Sequence, residues 1–295
     1  MKKQATEVKK ERPAGMGAKG PGSAKPVVVV VMPAYNAAKT LEKTHGDLPK
    51  DIVDRVILVD DASQDETADI ARRLGLDTIV HVQNKGYGGN QKTCYLEALG
   101  VGADIVVMVH PDNQYDATSI PRIIQPIIEG KADLVLGSRL LGGREETLKG
   151  GMPIWKYVSN RFLTTVENAA LGTHLSEAHT GLRAYSRRLL TTIPFLLNSD
   201  DFVFDSEVIA ETVAFRFKIA EVPVPTRYFP EASSVNFRRS VVYGLATLNV
   251  ARKFFLNKIG VRRYPIFRKP LSQVVSRHHK ERIFGKQGKG EQNIV

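Results

Sequence analysis

Five short apolar runs, Val27–Met32, Arg55–Val59, Thr78–Val82, Asp104–Val109 and Asp133–Gly137, begin 28, 23, 26 and 29 residues apart. Each is followed by a stretch with helical apolar spacing, so each interval is one strand–helix unit. Repeated units of this length predict an α/β domain with a mostly parallel central sheet flanked by helices, because each return to a parallel neighbour needs a crossover. Strands covered on both faces are expected to be almost wholly apolar, as these are, and ligands gather outside their carboxyl ends. A chain of 295 residues, 42% of them hydrophobic, is ample to bury such a core.

After Gly137 the rhythm changes. Pro153–Leu171 reads as a helix, Gly181–Leu190 as a strand running into a helix, Asp205–Phe215 as a helix and Ile219–Val224 as an edge strand. Ser240–Ile259 reads as a long amphipathic helix, followed from Arg262 by a basic stretch with little periodicity. The expected division is a disordered basic arm over 1–25, the main domain over 26–235, an amphipathic helix over 236–261 and a basic tail over 262–295.

The net charge of +11 sits in the two ends, since residues 27–251 carry 23 − 27 = −4. Nucleic acid would ask for a basic face on the folded body, so it is not expected as a partner. The single Cys94 excludes a disulfide framework, and with no apolar leader the reading is a cytoplasmic protein. The best uncharged apolar run, Ser240–Ala251, falls short of the roughly 20 residues a membrane span needs. The chain is therefore expected to be soluble or peripheral on the cytoplasmic face.

Every chemically suggestive motif follows a strand. Pro33-Ala34-Tyr35-Asn36 closes the first, where Pro33 fixes φ and Tyr35 offers a flat ring for a nucleobase. Asp60 and Asp61 close the second, and adjacent carboxylates at a strand end need donors such as ribose hydroxyls. Lys85-Gly86-Tyr87-Gly88-Gly89 follows the third and opens a helix whose amino end would suit phosphate. It lacks GxGxxG and follows the wrong strand for a dinucleotide fingerprint. His110-Pro111-Asp112-Asn113-Gln114 closes the fourth, placing His110, Asp112 and Gln114 at two-residue spacing on one side of an extended segment. That set suits Mg²⁺ or Mn²⁺ with open positions for a diphosphate, or else a polar turn in which Asp112 bonds backbone N–H groups. Arg139 after the fifth strand can grip a phosphate with its planar fork.

In order, VVVVVMPAYNA, VILVDDASQDET, NKGYGGN, VVMVHPDNQY, LVLGSR, HTGLRAYSR and FDSEVIAETVAFRFKIAEVPV resemble the family 2 glycosyltransferases of GT-A fold, and among them the dolichol-phosphate mannose synthase branch. The resemblance spans roughly 27–235. It implies a nucleotide-diphosphate sugar donor, GDP-mannose favoured and UDP-glucose next, a divalent ion, and inversion at the anomeric carbon. Pro33, Ala34, Tyr35, Asn36, Asp60 and Asp61 would hold the nucleoside, with Lys85, Gly86 and Pro111 nearby. Asp112 matches the last Asp of the family's DXD motif and Gln114 a further metal ligand. His110 stands where the first Asp usually stands, and Ala37 replaces a common Glu.

The resemblance further implies a polyprenyl or dolichyl phosphate acceptor, whose anionic oxygen needs no general base. A hydroxyl acceptor would need one, with Asp205 or Asp201 as candidates. Arg139 is expected to stabilise the leaving diphosphate, and Arg183 either to bind acceptor phosphate or to pair with a sheet-end carboxylate. His179 is expected to be structural. A soluble enzyme with a sugar, metabolite or protein acceptor, and a non-catalytic binding protein of the same fold, are the alternatives. An anionic membrane surface and a second copy of the chain are the expected macromolecular partners.

Overall fold

The computed structural model describes residues 25–143, 147, 151–225 and 237–285. The expected arm over 1–25, apart from Lys25, and the end of the expected tail lie outside them.

The seven-stranded sheet has the order β3-β2-β1-β4-β6-β5-β7. Its strands are β1 (Val28–Ala34), β2 (Arg55–Asp60), β3 (Asp77–Val80), β4 (Ile105–Met108), β5 (Leu134–Ser138), β6 (Arg183–Ser186) and β7 (Ile219–Pro223). All five spaced runs form strands, within two residues of the expected bounds. β6 is antiparallel to both β4 and β5, with Arg183 opposite Met108 and Leu136. This reversal matters for function. The start of β6, not its end, lies at the sheet's carboxyl edge, so residues 176–182 reach the same rim as the loops after β1, β2 and β4.

Alternate residues of β1 serve opposite layers, as the two-residue strand period requires. Val29 and Val31 face one layer with Tyr95, Leu99, Phe195 and Phe204, on the side of α3 (Gly86–Gly100) and α7 (Phe204–Ala214). Val28, Val30 and Met32 face the other with Leu41, Ile70, Ile120 and Ile124, on α1 (Leu41–Gly46), α2 (Thr67–Arg73) and α4 (Ile120–Ile128). The remaining helices are α5 (Ile154–Leu171), α6 (Arg187–Leu190), α8 (Phe237–Lys258) and α9 (Arg277–Phe284). α8 packs along α5 and on α7.

The chain after Arg262 is not loose as far as Gly285. Ile266, Phe267, Leu271 and Ile283 are buried in the α3 layer. Arg187 Nη2 donates to the Ile283 carbonyl at 2.7 Å, and Arg282 pairs with Glu97 at 2.9 Å. Four apolar residues at irregular intervals escape a periodicity test but suffice to seat the segment.

α7 buries two carboxyl groups, and burial pushes both Glu207 and Glu211 above the usual carboxylate range. Glu211 Oε2 accepts from Asn198 Nδ2 at 3.0 Å, while Oε1 has no hydrogen-bond partner. A carboxyl raised in the folded state binds its proton more tightly there than in the unfolded chain. Its contribution to stability is therefore present below the unfolded value and lost as pH rises through the folded one. Glu211→Gln should raise Tm at about pH 8, with the gain shrinking towards about pH 5; thermal melts across that range check it, and a gain independent of pH would contradict it.

Candidate active site

A cavity of about 1430 Å³ opens at the carboxyl edge of the sheet, lined by the turns after β1, β2 and β4, the first turn of α3, the 199–203 loop and one face of α8. The β1 turn is built by Asn36, whose φ of 53° an asparagine tolerates and whose Oδ1 accepts from Gln64 N at 2.8 Å. Pro33, Ala34, Tyr35, Asn36 and Ala37 all line the cavity. Tyr35 is 54% exposed, which leaves its ring available to a flat ligand.

The two adjacent aspartates have different surroundings. Asp60 is outside the cavity lining and accepts from Ser63 N and Oγ at 3.0 and 2.5 Å, so it ties its own turn. Asp61 lines the cavity, and its oxygens accept from Lys85 N at 2.8 Å and Gly86 N at 3.0 Å. His81 Nδ1 is a further 2.7 Å from Asp61. The repulsion seen in sequence is thus relieved largely by the protein's own N–H groups. Lys85 is also outside the lining.

The glycines after β3 serve a close approach of backbone to backbone. Gly88 N donates to the Asp200 carbonyl at 2.8 Å, and with Gly86 N on Asp61 the amino end of α3 is occupied by protein acceptors rather than presented to phosphate. A Cβ on Gly88 would overlap the Ser199 carbonyl and Cβ of Phe204. Gly88→Ala should lower both Tm and turnover, because it displaces the loop that brings Ser199, Asp201 and Phe202 to the cavity. Melting curves with activity would show it, and an unchanged variant would contradict this packing.

His110, Pro111, Asp112 and Gln114 line the cavity together. Asp112 Oδ1 accepts from Gln114 N at 3.1 Å, and burial pushes its carboxyl above the usual range. His110 stacks on Tyr87, with ring centroids 5.5 Å apart, and its Nε2 lies 3.2 Å from Tyr87 Oη. Tyr87 Oη donates to Asp205 Oδ2 at 2.8 Å, so its oxygen accepts from His110 Nε2–H. Burial lowers the imidazole pKa and favours the neutral ring, and the nitrogen left for a ligand is Nδ1.

Both arginines differ from the phosphate-binding expectation. Arg139 is outside the cavity lining; its Nε and backbone N donate to buried Glu177 at 2.8 and 2.7 Å, and Nη2 contacts both Glu177 and the His179 carbonyl. Arg183 is fully buried, donating to the Thr180, Asp205 and Ala178 carbonyls at 2.8, 3.3 and 3.2 Å, and its Nη2 is 3.4 Å from Asp205 Oδ2. It takes the carboxylate-pairing alternative. The cause is the antiparallel β6, which carries Glu177 and Arg183 to this rim from far along the chain. Asp205 also accepts from Gln91 Nε2 at 3.3 Å and borders only a smaller cavity of about 170 Å³, leaving Asp201 as the candidate base in the main one. Tyr87, Glu177 and the α8 residues Arg239, Val242 and Tyr243 carried no sequence signal as site residues.

The profile of the family described as "Glycosyl transferase family 2" matches residues 29–193. The chain belongs to that family. A UDP-N-acetylglucosamine--dolichyl-phosphate N-acetylglucosaminyltransferase of Methanococcus voltae is 30% identical over 219 residues, covering 68% of this chain and 86% of the relative. An undecaprenyl-phosphate mannosyltransferase of Micrococcus luteus is 29% identical, covering 76% and 93%. These relatives place the glycosyltransferase in the branch that resembles dolichol-phosphate sugar synthases. The glucosyl-3-phosphoglycerate synthase of Mycobacterium tuberculosis, solved with Mn²⁺, UDP and phosphoglyceric acid, superposes with a TM-score of 0.61 at 19% identity over 78% of each chain. That likeness confirms the GT-A fold.

Asp112 of this glycosyltransferase fits a divalent cation: it is a desolvated carboxylate on a cavity wall, and positive charge would offset its burial. Among the described residues no group of three or more His, Cys, Asp or Glu side chains could hold a metal. Substrate oxygens would therefore have to complete the shell, as a diphosphate can.

Proposed function

We propose that this glycosyltransferase moves a sugar, mannose favoured, from a nucleotide-diphosphate donor to a polyprenyl or dolichyl phosphate at the cytoplasmic face of a membrane. One observation carries the acceptor assignment. Val242 lines the cavity and is exposed, and exposed Val241 and Leu245 lie beside it on the same helix. Val241, Val242 and Leu245 on α8, and Ile154, Trp155, Val158 and Phe162 on the adjoining α5, are exposed at helical spacing. Arg239, Lys156 and Arg161 lie on the same helices. An apolar face with basic neighbours suits an anionic lipid surface. None of the helices among the described residues is long and apolar enough to cross a membrane.

In this reading Tyr35 stacks the base and the β1 turn holds the nucleoside, while the donor's diphosphate lies towards Asp112. Asp112 and Gln114, with His110 through Nδ1, would hold Mg²⁺ or Mn²⁺, which supplies charge neutralisation to the leaving diphosphate. The acceptor's phosphate oxygen attacks the anomeric carbon from the face opposite the diphosphate. The new C–O bond forms as the bond to the diphosphate breaks, which inverts the centre. The attacking oxygen is already anionic, so no base is required. Asp201 on the cavity wall favours a second reading, transfer to a hydroxyl with Asp201 taking the proton.

Trp155→Asp together with Phe162→Asp should reduce sedimentation with anionic vesicles and transfer to polyprenyl phosphate, while hydrolysis of the sugar donor persists. Equal vesicle binding by wild type and variant would remove the membrane assignment. Melting shifts with GDP- and UDP-sugars, each with Mg²⁺ and Mn²⁺, identify the donor, since a ligand at 100 times its Kd stabilises by about 2.7 kcal/mol.

A further inference from the structure

Behind the α8 wall of the cavity, Glu167 on α5 is buried and neither of its carboxylate oxygens has a hydrogen-bond partner. His179 Nε2 stands 3.1 Å from Glu167 Oε2, close enough for an ion pair but off hydrogen-bond alignment. On the other side of the ring, His179 Nδ1 lies 2.6 Å from Tyr243 Oη. Tyr243 lines both the main cavity and the smaller one beside it. Three elements distant in sequence thus build a buried chain that ends in a hydroxyl on the cavity wall.

The hydrogens of this chain can be counted. The nearby charges Arg139 and Arg183 are already paired with Glu177 and Asp205. An unbalanced charge buried beside them is costly, which favours a net-neutral Glu167–His179 pair. Three forms are net-neutral: an imidazolium against a carboxylate, a neutral imidazole whose Nε2 accepts from a carboxylic acid, and a neutral Nε2–H imidazole beside a carboxylic acid protonated on its far oxygen. The third leaves a buried O–H on Glu167 Oε1, which has no hydrogen-bond partner; in the other two Nδ1 carries a hydrogen. Nδ1–H then donates to Tyr243 Oη, the Ser206 hydroxyl bonds the same oxygen in the sense that lowers the phenol's pKa, as a donor does, and the tyrosine's own hydrogen turns away from both. Burial pushes the Tyr243 phenol well up, so it keeps that hydrogen.

We infer that Tyr243 presents its O–H as a donor to an anionic oxygen of the acceptor, with His179 and Glu167 as positioning residues that fix the hydroxyl's direction. The ligand class is a phosphate monoester, and this assignment rests on the polyprenyl-phosphate reading above. Arg239, one helical turn before Tyr243, lines the same cavity and adds a cation on the same face of α8.

Two measurements on the full chain test this. In protein labelled with ¹⁵N-histidine, with the His179 signal identified by its loss in His179→Gln, Nδ1 should be protonated. A neutral Nε2–H tautomer with a bare Nδ1 overturns the inference, because Tyr243 must then donate inward. In transfer assays Tyr243→Phe should raise the KM for polyprenyl phosphate about 10- to 100-fold, as expected for a lost hydrogen bond to a charged group, with the KM for the nucleotide sugar and Tm nearly unchanged. If both KM values rise together and Tm falls, the three residues are a structural staple and the inference is wrong. If wild-type protein makes no sugar-phosphate lipid at all, the acceptor assignment falls with the proposed function, while the His179 signal still decides which way the hydroxyl points.

Discussion

Asp112→Ala lowers sugar transfer by about a hundredfold to a thousandfold, the range seen when a key electrostatic partner of a developing charge is removed, and leaves Tm within a few degrees of wild type. Asp112 sits on the cavity wall with a carboxyl raised by burial, and its Oδ1 accepts from the neighbouring Gln114 N–H. Little of the fold hangs on it, whereas the proposed cation site depends on it. Transfer rates at saturating Mn²⁺, with melting curves for both proteins, check this. Retained turnover would remove Asp112 from the cation site, and a collapse of Tm would make it structural.

Arg183→Met should be the most destabilising of the substitutions considered, by about 3–5 kcal/mol, because it leaves a buried carboxylate without its cation. Asp205 would keep Tyr87 and Gln91 as donors, but the Thr180 and Ala178 carbonyls would lose theirs. Urea denaturation measures the loss. The double variant Arg183→Met, Asp205→Leu should lose less than the single one, since removing both charges leaves neither uncompensated. A stable single variant with a raised acceptor KM would instead return Arg183 to phosphate binding.

The strands were legible because each is a short apolar run whose length and spacing depend on local pattern alone. The direction of β6 was not. Gly181–Leu190 has the look of another strand–helix unit, and only pairing with β4 and β5, at Met108↔Arg183 and Leu134↔Tyr185, 75 and 51 residues earlier, reverses it. The partners of Arg139 and Arg183 follow from that reversal. Arg139 looked unpartnered in its own neighbourhood because Glu177 reaches it from the loop before β6. The glycine loop was expected to suit phosphate at the helix's amino end, but what approaches it is the Asp200 carbonyl. His110, Asp112 and Gln114 all reach the cavity, but over a turn rather than the extended segment expected: Asn113 has a φ of 53° and Asp112 Oδ1 accepts from Gln114 N, as the polar-turn alternative has it. Tyr243 and Glu167 carry no local signature, since their contact with His179 exists only once α5 and α8 have packed.

The most direct measurement is the product formed when purified full-length protein, a labelled nucleotide sugar, Mn²⁺ and polyprenyl phosphate in anionic vesicles are incubated together. The account predicts label in the lipid phase as a sugar joined through one phosphate to the prenyl chain, with the anomeric configuration opposite to that of the donor. It also predicts that an unphosphorylated prenol will not replace the acceptor. Label that stays on the donor, is released only to water, or passes to a soluble hydroxyl acceptor while polyprenyl phosphate remains unmodified would contradict it.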